Sequence, residues 1–311
     1  MKVLVTGGAG FIGSHIVDAL LARGHEVAVL DDLSTGRRRN LAAEAIFEEI
    51  DLRDRSRVHE LIARFRPEVV CHQAAQTSVS VSTREPVRDA EVNIVGSLHL
   101  LDACVRHGVG RVVFASTGGA IYGEVPEGER ATPAWEPKPL SPYACAKLSV
   151  ERYLDAYRSE HGLVSTVLRY ANVYGPRQDP HGEAGVVAIF AQRLIAGRPI
   201  RINARREPGD DGCVRDYVYV DDVVRANVEA VEGRLTGTVN VATGVPSTTR
   251  QIAEGLVAAL GVTPTVEAGP RRAGDLERSV LEPDPSLGER MPLGEGLART
   301  AAWFEGDAGG A

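Results

Sequence analysis

Tyr143 and Lys147, four residues apart in SPYACAK, can share a face only if that segment is helical. A phenol titrates near pH 10, so to work as a base at neutral pH its phenolate needs about three units of stabilisation, roughly 4 kcal/mol. An ammonium one helical turn away is a source of it. Such a pair takes a proton from a hydroxyl, provided that another group accepts the hydride leaving the same carbon. Upstream, FASTGGAIYG puts Ser116 and Thr117 at the C-terminal end of a strand, the place where doubly wound sheets bind ligands. Either hydroxyl can serve as hydrogen-bond partner of the reacting oxygen.

The hydride acceptor is foreshadowed at the start of the chain. VLVTGGAGFIGSH sets glycines 7, 8, 10 and 13 between a strand and a helix. Glycine there permits a tight turn, close approach of backbone to a pyrophosphate and close helix-to-strand packing, with the helix N-terminus facing the anion. The next strand ends in Asp31, a carboxylate suited to the hydroxyls of an adenosine ribose and repelled by a 2′-phosphate. That favours NAD over NADP. The run Arg37, Arg38, Arg39 points the other way, but an arginine run in a loop is ordinarily solvated.

The elements that must position these groups follow a simple alternation. Short β-branched runs at 3–5, 26–30, 45–50, 68–72, 111–116 and 164–170 are separated by amphipathic stretches such as FIGSHIVDALLAR and RSRVHELIARF. This predicts βαβ units, hence an α/β fold with a doubly wound parallel (Rossmann) sheet. Beyond about residue 172 glycine, proline and charge become frequent, which predicts a smaller C-terminal α/β region for substrate. The expected division is 1–172 with return segments near 213–245, against 173–212 and 246–305, with 306–311 a flexible tail. TVNVAT at 238–243 reads as a strand rejoining the large sheet, and Thr248 with Gln251 fits a capping box.

Composition narrows the classes. The 311 residues are 43% hydrophobic and 25% charged, with a net charge of -7, which argues against a nucleic-acid partner. No stretch is long and apolar enough to be a membrane span, and the N-terminus reaches glycine too early for a signal peptide. Cys71, Cys104, Cys145 and Cys213 are scattered, so neither zinc nor disulfides are expected, and no other cluster has metal-ligand spacing. The expectation is a reduced, cytoplasmic enzyme without a metal. His72 reads as a packed histidine, His181 as a loop residue, and Glu48 with Glu49 as a solvated strand end.

In their order and spacing, the glycine turn from Thr6 to Gly13, the Ser/Thr closing the fifth strand, Tyr143-x-x-x-Lys147 and RYANVYGP resemble the extended short-chain dehydrogenase/reductases, and among them the nucleotide-sugar epimerases. The resemblance runs from Lys2 to about Asp275. It implies Gly7, Gly10, Phe11, Ile12 and Gly13 at the pyrophosphate of NAD, Asp31 at the ribose, and Asp51 with Leu52 near the adenine. It further implies Asn93, Tyr143, Lys147 and Tyr170 around the nicotinamide half. For a UDP-sugar it implies Thr117, Asn172, Arg215, Arg272, Asp275 and Ser279. Arginines suit the diphosphate because the guanidinium fork grips its oxygens. Since STGGAIYG carries one glycine more than the related SSAxVYG pattern, Thr117 and Ser116 both remain candidates for the working hydroxyl.

The implied reaction is C4 epimerisation of UDP-glucose and UDP-galactose through a 4-keto intermediate. Ser279 is small where relatives limited to those sugars are bulky, so the N-acetylated pair is expected to be accepted as well. Related dehydratases carry Asp-Glu after the strand-five Thr and decarboxylases a Glu nearby; here Gly118 and Gly119 follow Thr117. Those activities, UDP-glucuronate 4-epimerisation and a non-catalytic NAD-binding regulator are the alternatives. Two helices expected near 89–107 and 141–160 are apolar around much of their circumference and so need more than one partner. In the family this pair forms a dimer interface, which implies a homodimer.

Overall fold

The computed structural model describes residues 1–180, 185–272 and 274–308. His181 lies outside them. In chain order the elements are β1 (Lys2–Thr6), α1 (Phe11–Ala22), β2 (Glu26–Asp31), β3 (Ile46–Glu49), α2 (Arg55–Phe65), β4 (Val69–His72), α3 (Val79–Arg84), α4 (Pro86–Ala90), a π turn (Glu91–Val95), α5 (Gly96–Arg106), β5 (Arg111–Thr117), α6 (Gly118–Ile121) and α7 (Pro142–His161). They continue with β6 (Val164–Tyr170), β7 (Asn172–Tyr174), α8 (Val186–Ile195), β8 (Ile200–Asn203), β9 (Val214–Tyr219), α9 (Val220–Val231), β10 (Gly237–Val241), β11 (Pro246–Thr248), α10 (Thr249–Leu260), β12 (Val266–Gly269), β13 (Arg278–Ser279) and α11 (Leu293–Ala308).

The first compact unit comprises Met1–Thr117, Ser141–Arg169 and Val223–Val239. Its seven-stranded sheet has the order β10-β6-β5-β4-β1-β2-β3. The chain winds outward from β1 through β2 to β3, then crosses back to β4, so the order reverses between β1 and β4. That switch point is where such sheets open a crevice at the strands' C-terminal ends. Parallel registers align Thr6 with Leu30 and with His72, and His72 with Phe114, so the C-terminal ends of β1, β2, β4 and β5 lie along one edge. The strands are near-continuous runs of buried aliphatics because both sheet faces are covered. One face packs Leu4, Leu30 and Phe114 with Ile62 of α2, Leu100 of α5 and Leu154 of α7.

The second unit comprises Gly118–Leu140, Tyr170–Asp222 and Asn240–Ala311. Its centre is β9, paired in parallel with β7 and β13 and antiparallel with β11, while β8 and β12 form a separate parallel pair. Helices α8, α10 and α11 pack on one another. Thr248 and Gln251 cap α10 reciprocally, as expected.

Three expectations need correcting. The segment 118–140, expected in the first region, belongs to the second unit, and the returning segment is confined to 223–239 because β9 pairs with β7, β11 and β13. Helix α11 continues through Ala308, so helical backbone enters the stretch expected as a flexible tail. The helix expected near 89–107 is instead α4, the π turn and α5, together spanning 86–106. None of the described helices is long and apolar enough to cross a membrane.

Candidate active site

At the first turn of the chain, geometry requires glycine. Gly7 has φ +69°, and a Cβ there would lie 2.7 Å from the Ala74 amide nitrogen; one on Gly13 would lie 2.1 Å from the Gly7 carbonyl oxygen. No side chain caps α1 at Gly10 and no acidic residue occupies its first turn. The helix therefore presents its N-terminal N–H groups and positive dipole end to whatever enters. This cradle fits the pyrophosphate of a dinucleotide. Asp31 is buried, its Oδ2 accepting from the Ala9 amide at 3.0 Å and its Oδ1 from Leu33 at 2.8 Å. It thus fixes the glycine turn to the loop after β2, while a carboxylate's four acceptor sites leave capacity for ribose hydroxyls. Burial moves its pKa up against these bonds. Asp51 forks onto Arg53, which holds its carboxyl low, and Leu52 is in the core with its carbonyl 3.1 Å from His99. Arg38 pairs with Glu49 and Arg64 with Glu48; Glu49 is exposed and Glu48 half-buried, and both are surface ion-pair partners.

The proton-transfer group is assembled from α7 and the end of β5. Ser141 caps α7, its Oγ accepting from the Ala144 amide, and the helix brings Tyr143 and Lys147 onto one side, with the Lys147 Nζ 5.9 Å from the Tyr143 ring centroid. Lys147 is buried, donates to the Ala115 carbonyl at 2.8 Å and lies 4.8 Å over the Phe114 ring. Burial brings its pKa down to about 8, against the nearby carboxylates of Asp89 and Glu151. The pKa of Tyr143 is raised, first by burial and then by Asp89, against a lowering influence of the Thr117 hydroxyl beside it. Burial is the larger influence on the phenol, with Asp89 adding to it.

The two candidate hydroxyls differ in their partners. Ser116 is buried and donates to Glu151 at 2.6 Å, while Glu151 grips Arg169 at 3.0 and 2.5 Å. Ser116 is therefore committed to a buried ion pair, and Thr117 is the hydroxyl beside Tyr143.

Around this pair runs a polar network that sequence reasoning missed in part. Asn93, on the π turn, accepts from the Gln76 amide and donates to the Gln76 carbonyl and to Asp89, each at 2.9 Å. Gln76 Nε2 also donates to Asp89, at 2.8 Å. His72 bridges Thr6 at 2.7 Å and Ser97 at 2.9 Å. Because the Ser97 hydroxyl donates to the Asn93 carbonyl and the Thr6 oxygen accepts from the Ala74 amide, the imidazole must accept at Nδ1 and donate at Nε2. It stays neutral, its pKa pulled down to about 3 by burial and by Lys147. The packed reading of His72 holds. Glu151, four residues after Lys147, was legible as its helical neighbour; Gln76 left no signal.

The remaining candidates lie in the second unit and are described within it. Tyr170 is buried. Asn172 donates to the Asp216 carbonyl at 3.2 Å and faces Gly119, where a Cβ would meet it in ordinary contact. Arg215 bonds the carbonyls of Val214 and Leu276, and Ser279 stands in register beside it on β13, 1% exposed. Arg272 is exposed and meets the Asn203 side-chain oxygen at 2.8 Å once that amide is oriented to accept; Asp275 is half-buried. The unit is pinned by two residues not singled out in the sequence. Buried Asp216 accepts from Thr243, Gly244 and Leu281, and buried Asn240 joins Tyr122 to the carbonyls of Ala131 and Glu282. No group of acidic, histidine and cysteine side chains able to hold a metal occurs among the described residues.

Comparison with known proteins places this geometry. Residues 3–242 match the NAD dependent epimerase/dehydratase family. The chain is 46% identical to a UDP-glucose 4-epimerase of Mycolicibacterium smegmatis, with 98% of each chain covered. It superposes on the Thermus thermophilus UDP-glucose 4-epimerase in complex with NAD with a TM-score of 0.95, at 56% identity over 98% of this chain and 99% of that one. Against the Thermotoga maritima enzyme with UDP-glucose the TM-score is 0.92, at 46% identity over 99% and 100% of the two chains.

Proposed function

Because this chain belongs to the NAD dependent epimerase/dehydratase family, we propose that it interconverts UDP-glucose and UDP-galactose at C4, with NAD retained throughout. The observation that carries the reading is Tyr143 beside the Thr117 hydroxyl with buried Lys147 one turn on, Thr117 being followed by Gly118 and Gly119 where an eliminating enzyme needs a carboxylate. NAD, when bound, supplies reversible hydride acceptance. The glycine turn at 7–13 and Asp31 hold it, with Asp51, Leu52, Asn93 and Tyr170 as the further contacts of its adenine and nicotinamide halves.

The chain's own chemistry is the movement of one proton. Tyr143 takes it from the sugar's C4 hydroxyl and later returns it, Thr117 fixes the phenol's direction, and the Lys147 ammonium favours the phenolate that burial opposes. Arg215 and Arg272 hold the diphosphate, with Asn172 and Asp275 beside them; two backbone bonds leave Arg215 with spare N–H groups, since a guanidinium has five. No hydride is lost to the medium, so the reaction is an isomerisation. Incubation of the purified protein with UDP-galactose and no added NAD is expected to form UDP-glucose. Net NADH release would make it a dehydrogenase, and inertness a regulator.

The small, buried Ser279 supports a wider sugar pocket that also admits UDP-GlcNAc and UDP-GalNAc. Ser279→Tyr is then expected to lose the N-acetylated substrates selectively; equal loss of both classes would contradict this. Val79, Val87, Val95 and Tyr153 are exposed apolar residues on α3, α4, the π turn and α7, which pack together, and this supports a homodimer through that face. Sedimentation at micromolar concentration tests it. Four free thiols fit a reducing, cytoplasmic setting.

A further inference from the structure

Asp89 is a buried carboxylate, 1% exposed, that makes no ion pair among the described residues. Both of its side-chain hydrogen bonds come from neutral amides, Gln76 and Asn93, and both end on Oδ1. The amides fix its position without cancelling its charge. It stands on α4, which packs on α7, within charge reach of Tyr143 and of Lys147.

The other charges near this pair are already balanced or neutral. Glu151, on α7 itself, is neutralised by Arg169 of β6 at 2.5 Å. His72 of β4 is uncharged in its fixed tautomer. On α3, α4 and the π turn, Arg84, Arg88 and Glu91 are exposed, Arg88 meeting Glu85. On α5, Asp102 is held by Arg55 and Arg106, and Arg111 at the start of β5 turns to the Val231 carbonyl. Among the described residues, Asp89 is thus the buried carboxylate near the pair whose hydrogen-bond partners are all neutral.

We infer that Asp89 is a positioning residue for the proton transfer: its buried charge holds Lys147 as an ammonium and Tyr143 as a neutral phenol in the resting enzyme. The energetics have a definite sign. A buried ammonium is disfavoured, and a carboxylate nearby restores it; the same carboxylate opposes a second negative charge on the phenol. Asp89 therefore stabilises the positive partner and delays ionisation of the base until substrate is in place. The inference rests on the epimerase reading for its purpose, but its electrostatic content is independent of turnover.

The chain's lysines are Lys2, Lys138 and Lys147, so NMR of the lysine-labelled holoprotein resolves the Lys147 titration, with Lys2→Arg and Lys138→Arg variants for assignment. Asp89→Asn, nearly isosteric, is expected to move that midpoint to lower pH by about one unit, and to move both limbs of the kcat profile the same way. Asp89→Ser serves as a second variant and is expected to give the same direction of shift. An unmoved midpoint in the folded variants, or a kcat lowered uniformly at every pH, would overturn the inference and leave Asp89 as a brace for the Gln76 loop. Because the titration needs no turnover, its failure is distinct from failure of the epimerase reading, which would show as an inert wild type.

Discussion

The two units lean on different kinds of buried polar contact. In the first, side chain bonds to side chain near the strand ends and helix faces: Thr6 to His72 to Ser97, Asp89 to Gln76 and Asn93, Ser116 to Glu151 and Arg169. In the second, single side chains bond loop backbone, as Asp216 does at 243, 244 and 281, Asn240 at 131 and 282, and Arg278 at 125 and 129. Proton transfer needs fixed side-chain directions, which strand ends and helix faces supply. Recognition of a large ligand needs loops held in place, and one buried carboxylate can pin several at once.

The sharpest break in the first unit is Tyr143→Phe, which removes the proton acceptor with little change in packing. Turnover is expected to fall roughly 10²- to 10⁴-fold while thermal stability and NAD binding persist. In the second unit the corresponding break is structural. Asp216→Ala orphans three backbone N–H groups, two of them buried, and is expected to cost about 3 kcal/mol, measured by urea unfolding; a loss below that of an ordinary surface change would show that the loops hold themselves.

Smaller changes separate roles within the first unit. Thr117→Val is expected to lower kcat about 100-fold at nearly unchanged stability, whereas Ser116→Ala should cost about 1 kcal/mol of stability at nearly unchanged kcat. The reverse pattern would return the working role to Ser116. His72 adds a pH signature. Its folded-state pKa, about 3, lies below its ordinary 6.5, so the unfolded chain binds the extra proton in that window. Stability from this group is present above pH 6.5 and lost as pH falls, by about 2 kcal/mol between pH 7 and pH 5. In His72→Gln that part of the acid slope should vanish.

Legibility in the sequence followed the same division. The sheet strands were readable because buried parallel strands are continuous β-branched runs, and Tyr143 with Lys147 because helical spacing carries chemical meaning. Asp31 and Thr117 were readable from their place at strand ends. The π turn was not, since DAEVNIVGS has ordinary helical composition, and Asp89 was hidden with it although it stands one helical turn before Asn93. Asp216 sits in VRDYVYVDD among apolar neighbours, and nothing local says that its partners are 27 residues and more away. The assignment of 118–140 to the second unit depends on such long-range pairing, which no window of the chain contains.

The account stands on a proton and a hydride that leave and return at one carbon. UDP-galactose bearing deuterium at C4, incubated with the purified protein in ordinary water, tests this most directly. The account predicts UDP-glucose that keeps its deuterium at C4 with no NADH released; loss of the label to solvent, or its appearance in released cofactor, would contradict it.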